Sequence, residues 1–162
     1  MNVVIAIDPG ANGGIAVSYG QGKMLSVYPM PPTDGDVEAL LSSLKQECEA
    51  EKWIICAVVE EVGGYVGGGG QPGSAMFTFG RGYGYILGVL AALKIRTELV
   101  RPQKWQKALS LGTSKSHASK TAWKNHLKER AQRLFPDIRV TLKTADALLL
   151  MEYARPQIFS AG

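Results

Sequence analysis

Asp8, Glu60 and Asp146 each border a run of apolar residues. Asp8 follows Val3-Val4-Ile5-Ala6-Ile7, Glu60 follows Ile54-Ile55-Cys56-Ala57-Val58-Val59, and Asp146 precedes Ala147-Leu148-Leu149-Leu150. An ionised carboxylate at the edge of a buried run is costly to desolvate unless it is paired or holds a metal. Three such acids brought to one place repel one another, and a divalent cation relieves that repulsion. Oxygen-only ligands suit Mg2+ or Mn2+ better than zinc. Two such ions close together activate a water and stabilise the departing oxygen of a phosphodiester. Each acid also has a plainer reading. Asp8, in Asp-Pro-Gly, could satisfy turn amides; Glu60 could be a solvated strand end; Asp146 could be a helix-start acid favoured by the macrodipole.

The elements around these residues decide between the two readings. Asn2 to Asp8 is an apolar, β-branched run stopped by Asp-Pro-Gly, which predicts a buried strand. Gly13 to Tyr19 is its expected hairpin partner, and Lys23 to Met30 a third strand ended by prolines. Apolar residues at helical spacing from Asp36 to Glu47, with acids in the first turn, predict a helix. Trp53 to Val59 reads as a fourth strand leading into Glu60-Glu61, and Gly63 to Gly73 is too Gly-rich for regular structure. A helix follows from Ser74 to about Leu93, a fifth strand from Arg96 to Val100, and a short helix from Pro102 to Leu109. Ser116 to Leu134 predicts a basic helix closed by Pro136; the last helix starts at Thr144, its expected cap, and ends before Pro156. Three strands in a meander, then strands alternating with helices, imply an α/β fold with a five-stranded mixed sheet flanked by helices. If the fourth strand returns parallel to the first by a helical crossover, the carboxyl ends bearing Asp8 and Glu60 lie side by side.

The chain of 162 residues has the length of one domain, and its 46% apolar and 20% charged residues describe a globular protein. Tyr83 to Leu93, the longest apolar stretch, is too short to span a bilayer. The amino terminus lacks a basic n-region and a cleavage site, and Cys48 and Cys56 lack zinc spacing. The expectation is a cytoplasmic protein with reduced thiols. Net charge is +4, unevenly spread: residues 1–100 hold 6 Lys/Arg against 10 Asp/Glu, and residues 101–162 hold 12 against 4. That imbalance fits a polyanionic partner, although a solvated basic face looks the same from sequence.

Five segments, in order over nearly the whole chain, resemble the RuvC-type Holliday-junction resolvases of the RNase H-like superfamily. Ile5–Gly14 is similar to their opening strand, Ala57–Val62 to their second acidic strand, and Ser74–Leu87 to the helix that follows. Val100–Gly112 resembles the segment after the fifth strand, and Asp146–Leu150 the terminal acidic helix. The resemblance implies one RNase H-like nuclease domain over residues 1–162 and a homodimer in a bacterial or phage-infected cell. It implies symmetric nicking of four-way DNA junctions with two Mg2+ ions, Mn2+ substituting, held by Asp8, Glu60 and Asp146. The family usually places an Asp or His three residues before the last Asp, and here that residue is Lys143. A protonated lysine has no lone pair and ligates no Mg2+, so Lys143 is expected to contact the scissile phosphate. It could alternatively act as a base or touch only DNA backbone, with Glu61 or Glu152 completing the metal shell.

Tyr65, ahead of Gly67–Gly70, matches the loop that inserts an aromatic near the junction centre and could stack on a base. Arg81, Lys104, Lys107, Lys115, Lys120, Lys124 and Lys128 are expected to track DNA backbones, the last three lying on one helical face. Phe77, Phe79, Tyr83 and Tyr85 read as core or dimer interface, and His117 and His126 as surface or phosphate contacts. Three other readings remain open: an RNase H-like nuclease for flaps, other branched DNA or RNA; a catalytically impaired junction-binding protein; and an actin-like ATPase. The last finds a strand–Asp–turn–Gly opening here, but neither the length for two lobes nor a second phosphate loop.

Overall fold

The computed structural model describes residues 1–21, 24–63 and 73–159. Its strands are β1 (Asn2–Asp8), β2 (Gly14–Tyr19), β3 (Met24–Pro29), β4 (Ile54–Glu60) and β5 (Arg96–Val100), forming one sheet in the order β3-β2-β1-β4-β5. The β1–β2 and β2–β3 pairs are antiparallel; β1–β4 and β4–β5 are parallel. The expected start of the third strand at Lys23 lies outside the described residues. The helices are α1 (Asp34–Ala50), α2 (Gly73–Ala92), α3 (Pro102–Ala108), α4 (Lys120–Leu134) and α5 (Ala145–Phe159).

β1 is covered on both faces, which is why its sequence is continuously apolar instead of alternating. Val3, Ile5 and Ile7 pack with Val37, Leu41 and Leu44 of α1 and with Ile86 and Leu90 of α2. Val4 and Ala6 point the other way, into a core of Trp105 from α3, Trp123 and Leu127 from α4, and Leu148 to Met151 of α5. From Ala145 to Met151 every residue of α5 is buried, the property of a helix enclosed on all sides. Among the described residues, no helix is long and apolar enough to cross a membrane.

Three helix ends and one cap differ notably from the sequence reading. Thr33 caps α1 by accepting the Asp36 amide at 3.1 Å, so this helix starts two residues before Asp36. The basic helix begins at Lys120, not Ser116: Ser119 accepts the Ala122 amide at 3.0 Å, and Ser114–Ser116 forms a separate 3-10 turn. Thr144 does not cap α5 through its side chain; its hydroxyl accepts the Thr141 amide at 3.0 Å. The turn entering α5 is therefore anchored at Thr141, whose carbonyl receives the Ala145 amide at 3.0 Å. Finally, α5 continues through Pro156 to Phe159. Ile158 beyond the proline packs against the core, and that burial offsets the helical bond the proline cannot make.

Candidate active site

The parallel β1–β4 ladder ends on the pair Ile7–Val59. Asp8 and Glu60 are the next residue on each strand, so their carboxylates emerge side by side at the carboxyl ends of the two central strands, as the helical crossover requires. Two glycines then bring the third acid to them. A β-carbon on Gly13 would lie 2.0 Å from the Asp8 carbonyl oxygen, and one on Gly14 would lie 2.7 Å from the Lys143 carbonyl oxygen and 2.8 Å from that of Tyr28. Only residues without a side chain let the β1–β2 turn fold back on Asp8 and let the chain entering α5 press against it. Asp146, in the first turn of α5, is 5% exposed among apolar neighbours.

The three acids interact electrostatically. Burial, then the charges of Asp146 and Glu60, push the Asp8 carboxyl well above its usual range, with Lys124 opposing. Burial and Asp146 push Glu60 up to about 7, against the lowering effects of a Trp105 hydrogen bond and of Lys124. The turn after Asp8 is closed by its own backbone, Gly13 N–H donating to the Gly10 carbonyl at 3.0 Å. Two carboxyls raised by burial and by a neighbouring acid are a functional arrangement more than a stabilising one.

Two residues of this centre escaped the sequence reading in their roles. Trp105 of α3 is fully buried, and its Nε1–H donates to Glu60 Oε2 at 2.9 Å. Lys124 was expected among the backbone-tracking lysines; in the structure its ammonium donates to Asp146 Oδ2 as an ion pair. Burial alone lowers the Lys124 pKa, but the Asp146 charge and hydrogen bond, with Asp8 and Glu60, raise it overall. The spacing of Lys120, Lys124 and Lys128 gave the shared face of α4 correctly, but not the acid that the middle lysine meets.

Lys143 is exposed on the turn before α5. The two acids considered as additional ligands are engaged with arginines: Glu61 accepts from Arg101 at 3.2 Å and Glu152 from Arg155 at 2.6 Å. Arg81 pairs with Asp34, and Lys104 lies 4.0 Å from Glu98 and 5.9 Å from the Tyr153 ring centroid. Lys107, Lys115 and Lys120 are exposed and Lys128 is half-buried. Tyr65 and Gly67–Gly70 lie outside the described residues. The α2 aromatics divide: Tyr83 and Tyr85 pack against the core, whereas Phe77 is 73% exposed. His117 and His126 are not simple surface groups; both are half-buried and cluster with Trp123.

The donors fit a hard cation in type, although they do not yet converge on one. Asp146 Oδ1 is buried without a hydrogen-bond partner, an unsatisfied acceptor beside the other two acids. Among the described residues, no three His, Cys, Asp or Glu side chains stand grouped closely enough to hold an ion as placed. Lys124 partly neutralises the cluster in that arrangement.

No family model matches the sequence, and no curated protein matches it either. Solved structures do match. The structure of RuvC from Thermus thermophilus aligns over 97% of both chains, at 18% identity and a TM-score of 0.57. The structure of T. thermophilus RuvC in complex with a Holliday junction substrate aligns over the same shares, at 16% identity and a TM-score of 0.56. Sheet order, mixed strand directions and full-length alignment together establish that this chain has the RNase H-like fold seen in RuvC.

Proposed function

We propose that this chain is one RNase H-like nuclease domain over residues 1–162, a metal-dependent endodeoxyribonuclease acting on Holliday junctions or related branched DNA. The observation that carries the reading is that Asp8 and Glu60 follow the last β1–β4 pair side by side, with buried Asp146 near enough to raise both carboxyls. The RuvC fold supports it, since one matching structure holds a junction substrate.

Asp8, Glu60 and Asp146 would hold Mg2+, or Mn2+ in its place, most simply as two ions. When bound, such ions activate the attacking water and stabilise the departing oxygen of the phosphodiester. Trp105 fixes which Glu60 oxygen faces the centre by engaging the other. An ion would take the unpartnered Asp146 Oδ1, and Lys124 on Oδ2 would keep an ammonium beside the site to balance the charge of an incoming phosphate. Lys143 supplies a second cation there, as a phosphate contact and not a ligand. Exposed Lys107, Lys115 and Lys120, with half-buried Lys128, carry the flanking backbones. Arg81 and Lys104 join them by exchanging their carboxylate partners for phosphates, and Tyr65 stacks on a base near the branch point.

Paired nicking needs two centres, and we place the second in a homodimer. Phe77 and Met76, 73% and 41% exposed on α2, offer it an apolar contact face. The chain would work in the cytoplasm of a bacterial or phage-infected cell.

A second reading, a junction-binding protein impaired in cleavage, draws support from the Lys124–Asp146 pair and from Lys143 standing where the family has an acid or His. One assay separates the two: four-way junction, flap, RNA and linear duplex incubated in Mg2+ or Mn2+, with every nick mapped. Symmetric paired nicks in the junction are expected. Binding without nicks in either metal would favour the second reading, and preferential cutting of flap or RNA would redirect the substrate assignment.

A further inference from the structure

His117, just after the 3-10 turn, and His126, on α4, lie with ring centroids 4.8 Å apart and planes inclined at 42°. Each ring has one nitrogen tied to a main-chain carbonyl: His117 Nδ1 to Thr113 at 3.1 Å and His126 Nε2 to Leu111 at 2.9 Å. A carbonyl oxygen only accepts, so in the tautomers that make these bonds the tied nitrogens bear the protons, His117 Nδ1 lying also 3.4 Å from Ser116 Oγ. The lone pairs are thereby assigned to His117 Nε2 and His126 Nδ1. Trp123 holds both rings from the side, stacked on His126 at 5.7 Å and edge-on to His117 at 5.0 Å.

We propose that His117 and His126 form a second metal site, separate from the carboxylate centre, for a borderline transition ion such as Zn2+, Ni2+ or Cu2+. Donation of the remote ring N–H to a backbone carbonyl is the arrangement that orients a metal-ligating imidazole and fixes its tautomer. The spacing also fits. With Zn–N bonds of about 2.0–2.1 Å and near-tetrahedral angles, two imidazoles on one ion place their centroids about 5 Å apart. Two neutral nitrogen donors without a carboxylate select against Mg2+ and favour imidazole-binding ions. Lys115, Lys120 and Lys124 lie close in sequence, so the ion is held by nitrogen donation and not by net negative charge. Water completes its shell, and the partial exposure of both rings leaves a path of entry. Occupancy would clip the Ser114–Ser116 turn to α4, fixing the segment that presents Lys115.

The test is Zn2+ titration of the full-length protein in excess Mg2+, read by 15N shifts of the imidazole nitrogens and by calorimetry. Expected are one bound equivalent and concerted shifts of His117 Nε2 and His126 Nδ1. Affinity should fall in His117→Gln and in His126→Gln by more than the roughly 10–100-fold that loss of an outer-shell partner costs. An Asp146→Asn protein should retain the site. Absence of ring shifts, a shift of one ring only, or loss of Zn2+ binding in Asp146→Asn would each overturn the proposal. Because the readout is ion binding, it does not depend on whether the carboxylate centre cleaves DNA.

Discussion

Replacing Glu60 by Gln should stabilise the metal-free protein at neutral pH while removing a metal ligand. The Glu60 carboxyl is raised from 4.5 to about 7 in the folded chain. The folded state thus binds this proton more tightly than the unfolded state. The associated stability is fully present below pH 4.5 and is lost as pH rises through about 7. A shift of this size corresponds to about 3 kcal/mol, at 1.36 kcal/mol per pKa unit. For a chain of this length that is about 2–4 °C of melting temperature per kcal/mol, or roughly 6–12 °C in all. Gln keeps an acceptor for Trp105 Nε1 and discards the charge. Thermal melts of both proteins in EDTA, from about pH 4.5 to 8, provide the assay. The variant should melt several degrees higher above pH 7, and the curves should converge at the acidic end. Mg2+ should raise the melting temperature of the wild type much more than that of the variant. A wild-type minus variant difference that stays flat across this range would show that Glu60 is not strained by its neighbours.

Three further outcomes follow from the same geometry. Trp105→Phe removes a hydrogen bond to a charged group, which costs about 1.5–3 kcal/mol when the carboxylate is ionised; junction nicking should slow and the Mg2+ requirement rise, while junction affinity measured by gel shift stays near wild type. Lys124→Met frees Asp146 from its internal cation, so calorimetric Mg2+ affinity should increase even as the nicking rate falls. An unchanged affinity would mean that the ion pair does not compete with metal. Gly14→Ala drives a methyl group against the Lys143 and Tyr28 carbonyls; it should destabilise the fold by about 1–3 kcal/mol in urea melts and depress nicking by displacing the start of α5.

The sheet and the meeting of Asp8 with Glu60 were legible because two apolar strands ending in acids, linked by a helical crossover, leave little freedom in where those acids emerge. Asp146 was legible from its position before a run too apolar to be solvated. Trp105 and the Lys124 pair were not. Both depend on how α3 and α4 pack across the sheet face, and neither a buried tryptophan nor a lysine on a basic helix carries a local sign of its partner. The start of α5 after Thr144 was legible, but its side-chain cap was not, because the Thr144 hydroxyl turns back to accept the Thr141 amide. Its end was misread because burial of Ile158 outweighs the helix-breaking tendency of Pro156. The histidine cluster was hidden for a similar reason: His117 and His126 meet only because the 3-10 turn folds against α4.

The most direct measurement is junction nicking in Mg2+ by wild-type protein and by Asp8→Asn, Glu60→Gln and Asp146→Asn, with junction binding followed in parallel. If these three side chains form the metal centre of a nuclease, each variant loses nicking by several orders of magnitude yet still binds the junction. Nicking that survives any of the three substitutions at near wild-type rate would contradict that assignment.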